Sequence, residues 1–75
     1  MKAKEFKRIR MKLKLDRHEF AEVFGLSGYM AVANIENGSR NPSKLTIIIL
    51  RILDVLPANR ANDFIELMRR YGKNE

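Results

Sequence analysis

The feature that most constrains the fold is a series of short apolar segments, each bounded by residues that stop a helix. Apolar residues recur three and four positions apart in five segments, and none shows the alternation of a half-buried strand. Glycines, the Asn37-Gly38 pair and the prolines separate the segments. We therefore predict an all-α fold of five short helices with one core, over residues 2–13, 17–24, 29–37, from Pro42-Ser43 to Leu53, and over 59–71.

The apolar stripes also predict which side chains form the core. Listed helix by helix, the predicted inward residues are Phe6, Ile9 and Leu13; Phe20, Ala21 and Phe24; Val32 and Ile35; Leu45, Ile48, Ile49 and Ile52; Ala61, Phe64, Ile65, Met68 and Tyr71. The fourth helix has a second apolar side with Ile47, Leu50 and Leu53. A helix that is apolar nearly all round is either central or shares one face with a partner.

Length and residue types exclude several classes of function. With 75 residues the chain forms a single domain, 1–75, which has no cleft between lobes. The absence of cysteine excludes disulfides and thiolate zinc sites, and one histidine, His18, cannot build a multi-histidine metal site. An enzyme is therefore the least expected class, and no cofactor or small-molecule ligand is indicated. The longest apolar run is too short to span a bilayer and no secretory signal is visible, which predicts a cytoplasmic protein without a membrane partner.

The positive charge is confined to the first segment. Residues 1–17 hold eight cations and two anions, whereas residues 18–75 hold seven of each, so the whole net charge of +6 lies in the first segment. A basic face beside a neutral body suits a polyanion, nucleic acid first and an anionic membrane surface second. A lysine-rich helix that is merely solvated is the alternative.

The junction between the second and third predicted helices indicates a helix-turn-helix. Asp16 and Glu19 have the spacing of a capping box, which begins the second helix at residue 17. Gly25 stands where a helix often ends in a left-handed residue, and Leu26-Ser27-Gly28 form a short turn. Two short helices joined by a tight turn with glycine, here residues 17–37, are typical of helix-turn-helix DNA-binding domains.

About two-thirds of the chain resembles the lambda-repressor and Cro-like (Xre-type) family of regulators. The resemblance rests on an ordered series of motifs: Ile9-Arg10, Leu13, Leu15, Asp16 to Ala21, Phe24 to Ser27, Ile35 to Gly38, Arg40 and Pro42-Ser43. It implies a five-helix lambda-repressor-like DNA-binding domain whose third helix enters the major groove, with the N-terminus of the second helix against the DNA backbone. It also implies a nucleoid-associated protein of bacterial, phage or plasmid origin.

The resemblance also implies roles for individual residues. The base-reading residues would be Tyr29, Met30, Ala33 and Asn34, with Asn34 the best candidate because asparagine pairs bidentately with adenine. The phosphate-binding residues would be Arg17, Ser27, Asn37, Ser39, Arg40 and Lys44. Arg10 and Glu36 match an arginine–glutamate pair that links the first helix to the end of the third.

Three departures from the family pattern affect these expectations. Ten residues separate Gly25 from Glu36 where nine are common, so either the turn at Ser27-Gly28 absorbs one residue or Ser27 caps a longer third helix. The segment 28–34 is poor in polar readers, which suits apolar contact with thymine methyls or a different partner. Lys14 stands where relatives often have glycine, which implies mild backbone strain.

The sequence therefore predicts a sequence-specific double-stranded DNA-binding transcriptional regulator, a small homodimeric repressor that could also bind a protein such as a toxin. The dimer would bury the surplus apolar surface of the fourth helix, although a monomer with a covered fourth helix is the alternative. An antitoxin-like or adaptor module that binds a protein rather than DNA is the second hypothesis, and the apolar third helix favours it.

Overall fold

The computed structural model describes residues 1–73, and this part of the chain forms five helices and no strand. The helices are α1 (Ala3–Lys12), α2 (Arg17–Phe24), α3 (Tyr29–Glu36), α4 (Lys44–Val55) and α5 (Ala58–Gly72). The five-helix, all-α prediction is confirmed, and the predicted ends differ by no more than two residues. Within residues 1–73, every helix is too short or too polar to span a membrane.

The capping box that was predicted to begin α2 and the glycine that was predicted to end it are both present. The Asp16 carboxylate accepts a hydrogen bond from the Glu19 N–H at 2.8 Å, and the Glu19 carboxylate accepts one from the Asp16 N–H at 2.9 Å. Gly25 follows the helix with φ of 69°, a left-handed conformation that costs glycine little. Both ends of α2 are therefore set by its own sequence.

The extra residue between α2 and α3 lies in the turn. Gly28 precedes α3 with φ of 156°, and Tyr29 is the first helical residue. The alternative in which Ser27 caps a longer third helix is therefore wrong. A positive φ is open to glycine at little cost, which is why the turn rather than the helix takes the insertion.

The core lies where the five helices meet. Phe6 packs edge-on against Phe20 with ring centroids 5.0 Å apart, and both side chains are fully buried. Val32 comes from α3 and Leu50 from α4, each with no exposed surface. Each such side chain contributes about 1.5–3 kcal/mol through burial, so this cluster holds α3 firmly on its inner side.

The predicted core face of α4 is wrong. Leu45, Ile48 and Ile52 are exposed and Ile49 is half-buried, whereas Thr46, Leu50 and Leu53 face the core. Periodicity alone does not determine which of two apolar faces of a helix is buried. The packing of α4 against α1 determines it. Thr46 tolerates burial because its Oγ1 accepts a hydrogen bond from Ser43 Oγ at 3.0 Å.

Helix α5 also exposes part of its predicted stripe. Ala61 and Ile65 are buried and Met68 is half-buried as predicted, but Phe64 and Tyr71 are exposed, as is Leu67. Together with the exposed apolar residues of α4, we name these residues the α4–α5 patch: Leu45, Ile48, Ile52, Val55, Phe64, Leu67 and Tyr71. Part of it is a shallow apolar groove of about 270 Å³ along α5.

Lys14 ends α1 in a strained conformation. Its φ is 60°, and it is the one residue other than glycine with positive φ within residues 1–73. A side chain in the left-handed region costs about 1–2 kcal/mol. The strain expected at this position is therefore present, and it lets the chain turn sharply toward the buried Leu15.

Asp54 ties the end of α4 to α1. Arg8 donates two hydrogen bonds to its carboxylate, at 2.9 and 3.2 Å, and Lys12 Nζ donates to the carboxylate and to the Asp54 carbonyl. The Arg8 hydrogen bonds, followed by that from Lys12, lower the pKa of Asp54 to about 2. Because the cations are half-exposed, water screens the cluster.

We expect this cluster to add an acid-sensitive contribution to stability. The folded pKa of Asp54 lies below the unfolded value of about 3.9, so the contribution is present above pH 4 and is lost as the pH falls through 2. Asp54→Asn should lower the free energy of unfolding by about 1 kcal/mol or less at pH 7 and by clearly less at pH 2, where the folded carboxylate is partly protonated. Urea unfolding at both pH values measures this, with Asp63→Asn as the control. An equal effect of Asp54→Asn at both values would contradict it.

Candidate nucleic-acid interface

The outer face of α3 is accessible and carries no exposed carboxylate. Ala31, Val32 and Ile35 anchor the inner face in the core, while Met30 is 64% exposed and Tyr29 39% exposed on the outer one. The other two predicted base-reading residues, Ala33 and Asn34, are half-buried at the edges of this face. The one acidic residue from 28 to 43 is Glu36, whose side chain is only 3% exposed.

Glu36 is neutralised from two sides at the end of α3. Arg10 on α1 donates from Nε and Nη2 to the two carboxylate oxygens, and Arg17 on α2 donates from Nε at 3.0 Å. Arg10 also donates from Nη1 to the Leu15 carbonyl at 2.8 Å. The structure thus joins Arg10 to Glu36, and the sequence did not indicate that Arg17 joins them.

The pKa of Glu36 shows which effect dominates in this cluster. Burial raises the pKa of Glu36, but the hydrogen bonds from Arg10 and Arg17 and their charges outweigh burial, so the pKa lies below its usual value. Glu36 therefore stays ionised at neutral pH, and its negative charge is held among guanidinium groups. The cluster links α1, α2 and α3 at one point, which fixes the position of α3.

Arg17 is half-buried, and two of its donor atoms already have partners within the protein. Its Nε donates to Glu36 and its Nη1 donates to the Tyr29 hydroxyl at 2.7 Å. The guanidinium also lies 5.4 Å from the centre of the Tyr29 ring, and the His18 ring lies 5.0 Å from it on another side. No hydrogen-bond partner for Nη2 occurs within residues 1–73, so this group remains available.

The turn after α3 is stabilised by its own polar side chains. Ser39 donates from its N–H and from its hydroxyl to the Asn37 side-chain oxygen, at 2.9 and 2.7 Å. The Asn34 carbonyl accepts from the backbone N–H groups of Ser39 and Arg40. Asn37 and Ser39, both predicted to bind phosphate, therefore first shape the turn, and the Asn34 side chain stays on the surface of α3.

The remaining predicted phosphate-binding residues lie on the surface around α3. Arg40 and Lys44 are exposed, and neither side chain has an ion-pair partner within the described part of the chain. Ser27 is exposed in the turn before α3. The exposed cations Arg40 and Lys44 thus lie after α3. Serine hydroxyl groups lie in the turn before α3, at Ser27, and in the turn after it, at Ser39.

The N-terminus of α2 is not an empty anion site. The Asp16 carboxylate already accepts the Glu19 N–H and places its own negative charge at this end. A second anion there would be repelled by that carboxylate. At this end of α2, the group that can attract a phosphate is therefore the side chain of Arg17 and not the backbone N–H groups.

Comparison with known proteins shows which family the chain resembles. Residues 1–67 match the model of a family described as the antitoxin component of the bacterial toxin–antitoxin system, MqsA. The chain belongs to the MqsA antitoxin family. This membership agrees with the predicted helix-turn-helix kind of protein but does not single out the lambda-repressor and Cro regulators. No curated protein and no solved structure matches the chain.

Proposed function

We propose that the protein is a non-enzymatic cytoplasmic antitoxin that binds double-stranded DNA and represses transcription by placing α3 in the major groove. The observation that carries the proposal is the accessible face of α3, free of exposed carboxylates and fixed by the buried Glu36 cluster. The major groove admits one α-helix and presents a distinct pattern of donors and acceptors for each base pair. Membership of the MqsA antitoxin family supports the same function.

The surface around α3 divides into two kinds of contact. Asn34 and Tyr29 offer polar groups to base edges, and Met30 and Ala33 offer apolar surface to thymine methyls. Arg40 and Lys44 lie beyond the C-terminal end of α3, where they can bind phosphates of the DNA backbone. Base contacts supply discrimination between sequences, and phosphate contacts supply affinity and register.

We further propose that two copies associate through the α4–α5 patch. Its seven large side chains are 38–80% exposed. Together they present several hundred Å² of apolar surface, which is close to the scale of the roughly 800 Å² that each partner buries in a standard interface. A second copy brings an identical apolar patch, so that a two-fold axis would cover both at once.

The ion pairs of α4 and α5 show which side each half of the patch avoids. Asp54 faces α1, and Ile52, two positions earlier, points to nearly the opposite flank of α4 because two residues span about 200° of a helix. Lys73, just after α5, pairs with Glu22 of α2 at 3.8 Å, and Tyr71 again lies two positions earlier. The α4 half therefore turns away from α1, and the α5 half turns away from α2.

The family description supports a toxin as a further partner. An antitoxin that mainly binds a protein is the second candidate function, and the apolar character of Met30 and Ala33 favours it. Titration of fluorescent duplexes across a range of salt concentrations separates the two. A DNA-binding repressor should bind a duplex selected from a random pool at least 1,000-fold more tightly than random sequence, with steep loss of affinity in salt. Equal weak binding to every duplex, with tight binding to the toxin, would favour the second candidate.

Asn34→Ala should weaken binding to the selected duplex by about 1–3 kcal/mol and relax the preference at one base pair. The carbonyl of Asn34 still caps the turn in this variant, so the fold is retained. Arg40→Ala is the matched control, because loss of a phosphate contact should weaken all sequences alike and reduce the salt slope by about one. If Arg40→Ala changed the base preference and Asn34→Ala did not, the placement of α3 in the groove would be wrong.

A further inference from the structure

Arg17 connects the first residue of α3 to the buried cluster at its end. Its Nη1 lies 2.7 Å from the Tyr29 hydroxyl oxygen, and its Nε lies 3.0 Å from a carboxylate oxygen of Glu36. Glu36 is itself held by Arg10 from the other side. The guanidinium is planar and held at two points, so its own orientation is fixed.

The chemistry of arginine decides the role of the Tyr29 hydroxyl. Arginine has five N–H donors and no acceptor, so Tyr29 Oη accepts in this hydrogen bond and its own proton is not used. The Tyr29 hydroxyl donates to no acceptor within residues 1–73. A positive charge on the oxygen's other side strengthens the phenol as a donor.

The ring of Tyr29 is held as well as its hydroxyl. The His18 ring lies 5.0 Å from it at an interplanar angle of 40°, and the guanidinium carbon of Arg17 lies 5.4 Å from its centre. The side chain is nevertheless 39% exposed. The structure therefore presents an oriented O–H donor at the first turn of α3, where recognition helices meet base edges.

We propose that Arg17 is a positioning residue that makes Tyr29 a donor toward DNA, so that Tyr29 selects a base with an acceptor edge. Guanine at O6 and N7, thymine at O4 and adenine at N7 satisfy this donor, whereas cytosine presents only an amino group, which opposes it. The proposal rests on the proposed DNA-binding function and deepens it. It assigns Arg17 to base selection through Tyr29 rather than to a phosphate contact alone.

The test compares discrimination between duplexes instead of affinity alone. The wild-type site is first selected from a random duplex pool, and each variant is then titrated with that site and with versions changed one base pair at a time. Tyr29→Phe should reduce the preference at one base pair by about threefold to tenfold, which is the value of one hydrogen bond. Arg17→Gln should reduce the same preference, and the double variant should lose no more than the larger single loss.

Two controls separate positioning from general loss of charge. Arg40→Gln should weaken all duplexes alike and leave the preference unchanged, because a uniform phosphate effect cancels in the ratio. Arg17→Lys keeps the charge and one donor, and it should restore part of the preference. A uniform loss for Tyr29→Phe, which a phosphate partner predicts, or additive losses for Arg17→Gln and Tyr29→Phe, would overturn the proposal.

A measurement without DNA distinguishes this proposal from the proposed function. In the NMR spectrum of the free protein, Arg17→Gln should shift the ring signals of Tyr29 and leave those of Tyr71, the other tyrosine, in place. If the wild type selects no duplex, the DNA-binding function and the base selection both fail, whatever the ring signals show. If the wild type selects a site but the Tyr29 signals do not respond to Arg17→Gln, only the positioning role fails.

Discussion

Replacing Arg10 with alanine is expected to lower the free energy of unfolding by about 3 kcal/mol, because the buried Glu36 carboxylate then keeps only one of its two arginine partners. Two groups lose a partner at once. The Glu36 carboxylate, only 3% exposed, loses the donors on its α1 side, and the Leu15 carbonyl loses the 2.8 Å hydrogen bond from Arg10 Nη1. Arg17 alone would then neutralise Glu36.

The control is an arginine of the same helix in a different setting. Arg8 pairs with Asp54 while its side chain is 54% exposed, so Arg8→Ala should lower the free energy of unfolding far less than Arg10→Ala. Urea unfolding followed by circular dichroism measures both variants. The difference between them isolates burial, since the two residues share helix, residue type and kind of partner.

A double-mutant cycle on Arg10→Ala and Glu36→Ala tests whether the pair acts as a unit. Its coupling energy should exceed the few tenths of a kcal/mol typical of a surface pair, reaching about 1–3 kcal/mol. The position of α3 depends on this pair, so both single variants should also weaken DNA binding at temperatures where they remain folded. A coupling near zero would show that Arg10 and Glu36 are independent surface charges.

The sequence predicts local structure here better than it predicts which surface faces outward. The capping box at Asp16 and the left-handed Gly25 depend on residues within one turn, and the structure has both. The sequence left the first residue of α3 uncertain by one position. The structure places Gly28 before the helix and Tyr29 at its first position. The inward face of α4 depends on where α1 packs, which periodicity does not contain.

The interface around α3 shows the same limit. The pairing of Arg10 with Glu36 was implied by the family resemblance, but the link from Arg17 to Tyr29 needs the distance between the starts of α2 and α3. Nothing in the sequence pointed to that link. Exposure of Leu45, Ile48 and Ile52 was likewise visible only as an excess of apolar residues.

Ile52→Glu is expected to raise the dissociation constant of the proposed dimer at least 100-fold. Ile52 lies in the middle of the α4 stripe and is 43% exposed, so the carboxylate is solvated in the monomer but buried without a partner in the dimer. Two-fold symmetry places one such charge on each copy. A loss of about 2.7 kcal/mol, modest for two buried charges, already corresponds to 100-fold.

Met11→Glu is the matched control, since Met11 is an exposed apolar residue on α1, outside the patch, and receives the same charge. Sedimentation equilibrium should show a wild-type dimer, a Met11→Glu dimer and an Ile52→Glu monomer. A wild-type monomer at micromolar concentration would assign the α4–α5 patch to another partner, with the toxin as the first to test.

Thermal unfolding provides a second and independent measurement of the same association. Because a partner that binds only the folded chain stabilises it by mass action, the wild-type melting temperature should rise with protein concentration. The melting temperature of Ile52→Glu should not depend on concentration. Its DNA affinity should also fall, since a monomer reaches one half-site whereas a dimer reads two half-sites about 34 Å apart. Loss of association with unchanged DNA affinity would mean that one copy of α3 is sufficient for binding.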